Sequence, residues 1–334
     1  MSLMNMDIKK SVAVGLLLLS SSNAMAVNVA VSPEQVVGTM EAIFGVTPGE
    51  RRNHTKGTCA VGEFVGSKAA AKVSRSVIFS GKPVPVVARF SLAGGNPNAP
   101  DSANSPRGMA LEFLGKNGAI QHMAMLNTPV FGAATPGTFY GGLVARLPDP
   151  ATGKPDPDKI KAFKESHPDT KAQAAFMASN NPPVSYANSA YYGIHTFKFI
   201  NKDNMESLVR WQFVPRDGEK RLSDAEMSSS PANFLEQTLI KRVDKAVVQW
   251  DMVVTLGESG DVQNDPTVAW PEGRKQITAG TLTISQAMPQ KGAACEGINY
   301  DPLLLSEGIV ATDDPVLLFR SPAYAVSFSK RQSE

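Results

Sequence analysis

The stretch HTFKF at residues 195–199 alternates ring-bearing and polar side chains, and VRWQF at 209–213 repeats this alternation. Runs of the same kind stand at 109–113 and 248–254, and a shorter one at 282–284. Successive side chains of a β-strand point to opposite faces, so each run predicts a strand with one apolar and one polar face. Such strands are typical of antiparallel sheets. The pattern therefore predicts a closed antiparallel β-barrel.

Helical patterns lie between and after these strands. Residues 33–44 carry apolar side chains at helical spacing, and Ser32 can cap this helix in a capping box with Gln35. Further helical patterns stand at 160–165, at 170–178, at 234–245, where Asn233 can act as the cap, and at 315–331. No break in composition or internal repeat divides the chain. We therefore predict that residues 27–334 form a single α+β domain with helices packed outside the barrel.

The first 26 residues have the pattern of an export signal. Lys9 and Lys10 are followed by the apolar run 11–19, and Ala24 and Ala26 supply the small residues that a signal peptidase reads. The apolar run is shorter than the roughly 20 residues that a membrane-spanning helix needs. The pattern predicts a periplasmic protein that begins near Val27, with no membrane span.

Composition excludes several classes of protein. A hydrophobic content of 42% and a charged content of 19% indicate a globular chain. The formal net charge is +2, and no basic run with interleaved aromatic residues is present, so nucleic acid is not expected as a partner. The four histidines stand in no HExxH, HxH or Cys/His pattern, which argues against a zinc site made by the protein alone.

Cys59 and Cys295 are the only two cysteines. In an exported protein they can form one disulfide, and two buried free thiols are an equal alternative. Neither cysteine belongs to a CxxC or CxxCH motif, so covalent haem attachment and thioredoxin chemistry are not indicated.

The C-terminal helical pattern places four side chains along one face: Arg320, Tyr324, Phe328 and Arg331. A guanidinium one turn from a phenol can donate a hydrogen bond to the phenol oxygen and favour the phenolate. A phenolate is a hard anionic ligand that suits ferric iron. By spacing alone, the same pattern also describes the edge of an ordinary amphipathic helix.

Six short motifs follow one another in a particular order: RxxHxKG at 51–57, RFS at 89–91, PRG at 106–108, NTPVF at 127–131, HTFKF at 195–199, and RxxxY at 320–324 with Arg331 seven residues beyond the tyrosine. In this order the chain resembles the catalase superfamily. It is most similar to the compact subgroup called catalase-related peroxidases, through RRNHTKG at 51–57, CEGINYDPLLL at 295–305 and RSPAYAVSF at 320–328. The resemblance covers residues 39–331, and it implies a catalase-type barrel with haem b buried between the barrel and the C-terminal helix.

The resemblance also implies a role for individual residues. His54 would be the distal acid and base, Asn127 its distal partner, and Ser91 the hydrogen-bond partner that holds the His54 ring. Tyr324 would be the axial ligand of the haem iron, and Arg320 would stabilise its phenolate. Four further residues would contact the haem: Phe131 near the distal pocket, and Arg51, Arg89 and Arg331 at the haem propionates.

Two departures from full catalases bear on activity. Asn53 precedes the distal histidine where full catalases usually carry valine, and Tyr324 is followed by Ala325-Val326-Ser327 instead of PDTH. Both agree with the compact subgroup. We expect an enzyme that reduces hydrogen peroxide while oxidising a small organic electron donor, with weak catalase activity. Because the chain lacks the arms that stabilise tetrameric catalases, we expect a monomer or dimer.

Three other functions are compatible with parts of the pattern. A catalase-fold enzyme that converts fatty-acid hydroperoxides would keep the haem and its tyrosine ligand. A periplasmic haem carrier would need no distal residues such as His54. A barrel that binds small ligands without haem would show no haem absorption at all.

Overall fold

The apolar faces of the predicted strands meet inside a barrel. Met109, Leu111 and Phe113 have no measurable solvent exposure, and the same is true of Trp250 and Met252. Aromatic rings from different strands fill the centre, where the rings of Phe64 and Phe113 pack edge to face with centroids 5.4 Å apart. The alternation that marks the strands in the sequence therefore provides the barrel core.

The computed structural model describes residues 30–334. The export signal predicted for residues 1–26 lies outside the described residues. The strands are β1 (Gly57–Gly66), β2 (Val84–Leu92), β3 (Arg107–Leu114), β4 (Ile120–Leu126), β5 (Tyr191–Tyr192), β6 (Phe197–Ile200), β7 (Glu206–Pro215), β8 (Val248–Leu256), β9 (Gln276–Pro289) and β10 (Ile309–Ala311).

All strand pairs are antiparallel, and eight of the strands close a ring in the order β7-β5-β4-β3-β2-β1-β9-β8, with β8 pairing back to β7. Strand β6 pairs with the first half of β7, and β10 extends the sheet beyond β6. The predicted closed antiparallel barrel is confirmed. Residues 31–334 form one compact unit.

The helices are α1 (Pro33–Phe44), α2 (Ala70–Val73), α3 (Pro136–Val144), α4 (Pro157–Ser166), α5 (Lys171–Ala178), α6 (Asp224–Ser229), α7 (Phe234–Lys245) and α8 (Pro315–Gln332). Short 3₁₀ turns occur at Val77–Phe79, Lys116–Gly118, Pro168–Thr170 and Tyr186–Asn188. No helix within residues 30–334 is long and apolar enough to cross a membrane.

Two predicted caps have different outcomes. The capping box of Ser32 and Gln35 at the start of α1 is present. Asn233, by contrast, makes no capping hydrogen bond through its side chain in the described part of the chain. The Oδ2 atom of the buried Asp101 instead accepts a hydrogen bond at 2.8 Å from the Leu235 N–H of α7. A distant loop thus supplies the cap that the sequence assigned to the neighbouring residue.

The register of β1 to β4 builds the wall on which the site lies. Gly57 pairs with Ser91, Ser91 with Gly108, and Gly108 with Leu126, which gives one row across four strands. Residues in one such row project to the same face of the sheet. Helix α8 crosses outside this face and contacts α1 and α3.

Candidate active site

A cavity lies between the wall of β2, β3 and β4 and helix α8. Helices α1 and α3 close it on further sides with apolar side chains that include Val37, Met40 and Phe139. Its lining contains eight of the nine residues predicted for the site: His54, Ser91, Arg51, Arg89, Phe131, Arg320, Tyr324 and Arg331. Residues from both ends of the chain therefore meet in one cavity, because α8 packs against α1 near the start of the described chain.

The backbone of His54 has an uncommon conformation. Its φ of 55° lies in the left-handed region, which costs a non-glycine residue free energy unless its surroundings hold it. The Oδ1 atom of Asn53 accepts hydrogen bonds from the N–H of His54 at 2.9 Å and of Gly94 at 2.8 Å. The Arg89 guanidinium donates to the His54 carbonyl at 2.7 Å. Asn53, a departure from full catalases, thus holds the turn that presents His54.

The His54 ring is held against the barrel wall. Its Nδ1 atom lies 2.9 Å from the Ser91 Oγ atom, so the hydrogen bond predicted between them is present. Gly108 lets the ring approach: a Cβ atom there would stand 2.7 Å from Ser91 Oγ and 3.1 Å from His54 Nδ1. The PRG motif therefore requires glycine at position 108, because the His54 imidazole and the Ser91 hydroxyl occupy the space that a Cβ atom would need.

Burial, followed by the positive charges of nearby arginines, lowers the pKa of His54 from 6.5 to about 3. The largest of these charge effects comes from Arg89, and Arg320 and Arg51 add to it. The imidazole is therefore neutral at physiological pH. A neutral imidazole can accept a proton, as a general base must.

Asn127 directly follows β4, whose last residue, Leu126, lines the cavity. Asn127 itself is not among the described residues of the lining. Its Oδ1 atom accepts a hydrogen bond at 2.7 Å from the Arg107 N–H, and its amide nitrogen makes no hydrogen bond within residues 30–334. Because this nitrogen is left available as a donor, the role of Asn127 as distal partner of His54 stays a prediction.

Arg320 and Tyr324 form the predicted pair on α8. An Nη2 atom of Arg320 donates to the Tyr324 hydroxyl oxygen at 2.9 Å. Pro322 lies inside the helix, between these two residues, and does not begin it. At the end of the helix, the Arg331 guanidinium lies over the Phe328 ring, 4.7 Å from the ring centroid.

A second buried pair, which the sequence did not reveal, stands behind this helix. The His195 Nδ1 atom lies 2.6 Å from the Asp314 Oδ2 atom, and Asp314 caps α8 through its other carboxylate oxygen. His195 also lines the cavity. Its Nε2 atom and the Arg320 Nη1 atom are buried without a hydrogen-bond partner in residues 30–334. Asp314 lies 119 positions from His195 in the chain, so the sequence drew attention to His195 only through the HTFKF motif.

Three arginines gather at one edge of the cavity: Arg51, Arg89 and Arg331. None of them forms a salt bridge with a carboxylate within the described residues. Burial, and then the charges of Arg89 and Arg331, lower the pKa of Arg51 from 12.5 to about 9. Its Nη1 atom is buried with no protein partner in the part of the chain that the structure describes. The cluster therefore carries positive charge with no carboxylate in direct contact, and Glu50 and Glu296 attract it only from a greater distance.

Gly57 gives Arg89 the space it needs. A Cβ atom at Gly57 would stand 2.3 Å from the Arg89 Nη2 atom, so any larger residue would displace the guanidinium. The last glycine of the RxxHxKG motif is explained by this contact. Phe131 lies elsewhere on the lining, where it stacks on Phe139 with ring centroids 5.7 Å apart.

These features define a barrel with a neutral histidine on its outer wall and an arginine-bonded tyrosine on the helix that covers it. The model of the family described as catalase matches residues 46–333. The chain belongs to the catalase family. It is 62% identical over 301 residues to a catalase-related peroxidase of Synechococcus elongatus, a match that covers 90% of this chain and 89% of that protein. It is 30% identical to a catalase-related peroxidase of Mycolicibacterium paratuberculosis, over 90% and 95% of the two chains.

The fold is also that of solved catalases. A fungal catalase superposes with a TM-score of 0.79 at 24% identity, over 85% of this chain and 59% of the fungal chain. The catalase-type barrel and the family predicted from the motifs are both confirmed. The matched part of this chain thus spans a little under three fifths of the fungal catalase.

Proposed function

We propose that this protein is a haem-dependent peroxidase that reduces hydrogen peroxide to water and oxidises a small organic donor, with weak catalase activity. The observation that carries the proposal is that a neutral His54 and an arginine-bonded Tyr324 line the same cavity. Membership of the catalase family supports it, as do the two relatives named catalase-related peroxidase.

The side chains of the cavity fit haem b. Arg51, Arg89 and Arg331 offer guanidinium donors with no carboxylate of their own, which suits the two propionates. The Tyr324 oxygen, bonded to Arg320, would ligate the iron from the α8 side. When bound, haem would supply the iron at which the peroxide O–O bond is broken, and the oxidised haem would then take electrons from the donor.

His54 would move the proton in this reaction. The tautomer that donates from Nδ1 to Ser91 Oγ leaves Nε2 unprotonated and free to accept a proton from the peroxide oxygen. The same atom can return the proton to the departing oxygen, which leaves as water. Ser91, Gly108 and the Asn53 turn keep the ring oriented for both steps.

Two departures from full catalases support weak catalase activity. Asn53 stands before His54, and Ala325-Val326-Ser327 follow Tyr324, both as in the compact subgroup. The two relatives named catalase-related peroxidase support the same proposal. We therefore assign the oxidised product of the physiological reaction to a small organic donor.

Spectroscopy and two substitutions test the assignment. Protein reconstituted with haem b should show a Soret band, and a pyridine haemochrome assay identifies the haem type. His54→Ala should keep the band and lose at least about a hundredfold in peroxide consumption, the usual range for a positioned acid–base group. Tyr324→Phe should shift the band or lose the haem. Full activity of the first variant, or an unchanged spectrum of the second, would remove these roles.

Export to the periplasm and a monomeric or dimeric state complete the proposal. The pattern of residues 1–26 and the bonded pair Cys59–Cys295 support an oxidising compartment. Fractionation of cells that express the whole chain tests the first point, since cytoplasmic protein that keeps residues 1–26 would contradict it. Light scattering of the haem-loaded protein tests the second, and a tetramer would contradict it.

A further inference from the structure

The arginine cluster is held by one short stretch of chain between β9 and α8, residues 290–298, which we call the rim segment. Arg51 donates from Nη2 to the carbonyl oxygens of Cys295 at 3.1 Å, Glu296 at 3.1 Å and Ile298 at 2.7 Å. Arg331 donates to the Glu296 and Ile298 carbonyl oxygens at 3.0 and 3.2 Å. Two guanidiniums from opposite ends of the chain thus share the same carbonyl groups.

The third guanidinium depends on the first residue of the rim segment. Arg89 donates from Nε and Nη2 to the Gln290 Oε1 atom at 3.0 and 2.7 Å. Gln290 is itself held, because its Nε2 atom donates to the Glu50 carboxylate at 3.0 Å. Arg89 also donates to the carbonyl oxygens of His54 and Thr55 at 2.7 and 3.0 Å. The rim segment therefore supplies hydrogen-bond partners to all three arginines, and Arg89 has further partners outside it.

A disulfide ties the rim segment to the barrel wall. Cys295 is bonded to Cys59 of β1, with Cα atoms 5.6 Å apart. Cys59 pairs with Arg89 across β1 and β2 and with Met288 across β1 and β9. The sequence left the pairing of the two cysteines open, and the structure joins them where the arginines gather.

One small apolar cluster anchors the middle of the rim segment. The two cysteines and Tyr300 form this cluster, Ala293 and Ile298 pack against it, and it is separate from the barrel core. The three guanidiniums of the cluster carry like charges that repel one another. Their hydrogen bonds go to neutral carbonyl and amide oxygens, which do not cancel this charge. Release of the segment would therefore let the guanidiniums move apart.

We propose that the Cys59–Cys295 disulfide positions Arg51, Arg89 and Arg331 for a ligand with two carboxylates, so that its reduction weakens retention of that ligand. The proposal rests on the proposed function, in which the dicarboxylate is haem. The residues involved are positioning residues, because the disulfide acts only through the guanidiniums. Reduction by dithiothreitol transfers two electrons and two protons, which leaves two thiols in the protein and a cyclic disulfide in the reagent.

Haem release tests the proposal on the full haem-loaded protein. Transfer of haem to an excess of a haem-scavenging apoprotein would be timed for the oxidised protein, for the dithiothreitol-treated protein, and for the double variant Cys59→Ala, Cys295→Ala. We expect release to be about tenfold faster in the latter two, equivalent to about 1.4 kcal/mol. A matched series with haem dimethyl ester, which carries no propionate charge, should show less than a twofold change.

A control separates this effect from general loosening. Leu239→Ala removes a fully buried side chain of the barrel core on α7. The control applies if Leu239→Ala lowers the unfolding midpoint as far as the double cysteine variant does. In that case we expect the rate of haem release from Leu239→Ala to stay within twofold of the parent rate. Equal acceleration in this control, or in the dimethyl ester series, would overturn the proposal.

Three further outcomes are informative. Two free thiols in the denatured, unreduced protein would overturn the proposal, since no disulfide would then exist. If haem binds with a normal Soret band and leaves at one rate in every redox state, the role of the disulfide fails while the proposed function stands. If neither redox state gives a Soret band, the proposed function itself fails.

Discussion

Gly108→Ala should misplace the proton-accepting histidine without emptying the site. A Cβ atom at this position would stand 2.7 Å from Ser91 Oγ and 3.1 Å from both Nδ1 and Cε1 of His54. The Ser91 oxygen must retreat by about 0.7 Å to reach the 3.4 Å at which ordinary contact begins. Because the His54 backbone is held at a φ of 55° by Asn53, the displacement falls on the side chains.

The size of the effect follows from this displacement. Loss of the hydrogen bond between Ser91 and His54 is worth about 0.5–1.5 kcal/mol. A misplacement approaching 1 Å at a catalytic group can cost about a hundredfold in rate. We therefore expect peroxide consumption per bound haem to fall by about 10- to 100-fold, or roughly 1.4 to 2.7 kcal/mol of barrier. The Soret band should persist, since the atoms nearest to the added Cβ belong to Ser91 and His54 and not to Tyr324 or the arginine cluster.

The assay is the initial rate of peroxide decay, normalised to bound haem, with a double-mutant cycle. If Gly108→Ala acts through the bond between Ser91 and His54, adding Ser91→Ala should slow it little further. Gly38→Ala on α1 is the matched control: nothing lies within 4 Å of its added Cβ, so the rate should stay at the parent value. A Gly108→Ala rate within twofold of the parent, or additive effects in the cycle, would refute the reasoning.

Three further outcomes are expected. Because burial and nearby guanidiniums lower the pKa of His54 to about 3, the imidazole is neutral above that pH. The rate of peroxide consumption should therefore show no acid limb near pH 6.5 and should fall only as the pH approaches 3. An acid limb at pH 6–6.5 that disappears in a His54 variant would contradict the assignment. Asn127→Ala leaves the buried Arg107 N–H unpaired, so the free energy of unfolding in urea should fall by about 1–3 kcal/mol. If the amide nitrogen of Asn127 donates to the peroxide, the peroxide rate per haem should also fall by about a hundredfold, and an unchanged rate would remove that role. Gly57→Ala would put a methyl group 2.3 Å from Arg89 Nη2, so haem transfer to an apoprotein should become several-fold faster than in the parent, and equal rates would count against Arg89 as a propionate contact.

Much of the fold could be predicted because local patterns and barrel packing agree. The alternation in HTFKF and VRWQF becomes the inner face of β6 and β7, where Phe199 and Phe213 are fully buried. The helical spacing of Arg320 and Tyr324 becomes a direct hydrogen bond, since residues four apart share one face of a helix. Asn233 failed as a cap because the competing carboxylate of Asp101 is brought in by the tertiary fold.

The site could be predicted only in part. The motif order identified His54, Ser91 and Tyr324, and all three line the cavity. For Asn127 the motif gave the position in the chain, and only the fold showed that its Oδ1 atom accepts a hydrogen bond from the Arg107 N–H. The pair of His195 and Asp314 went unnoticed, since nothing local marks two residues that meet only when α8 docks.

By itself, the sequence determined the alternating strands, the helices and the six ordered motifs, because these depend on residues that are near one another in the chain. Only the tertiary structure decided that Leu126 faces the cavity, that Gly108 and Gly57 leave room for His54 and Arg89, and that Cys59 is bonded to Cys295. Those features depend on strand register and on contacts between distant segments. Their physical basis is the space and the charge that remain in the cavity once the barrel has closed and α8 has packed against α1 and α3.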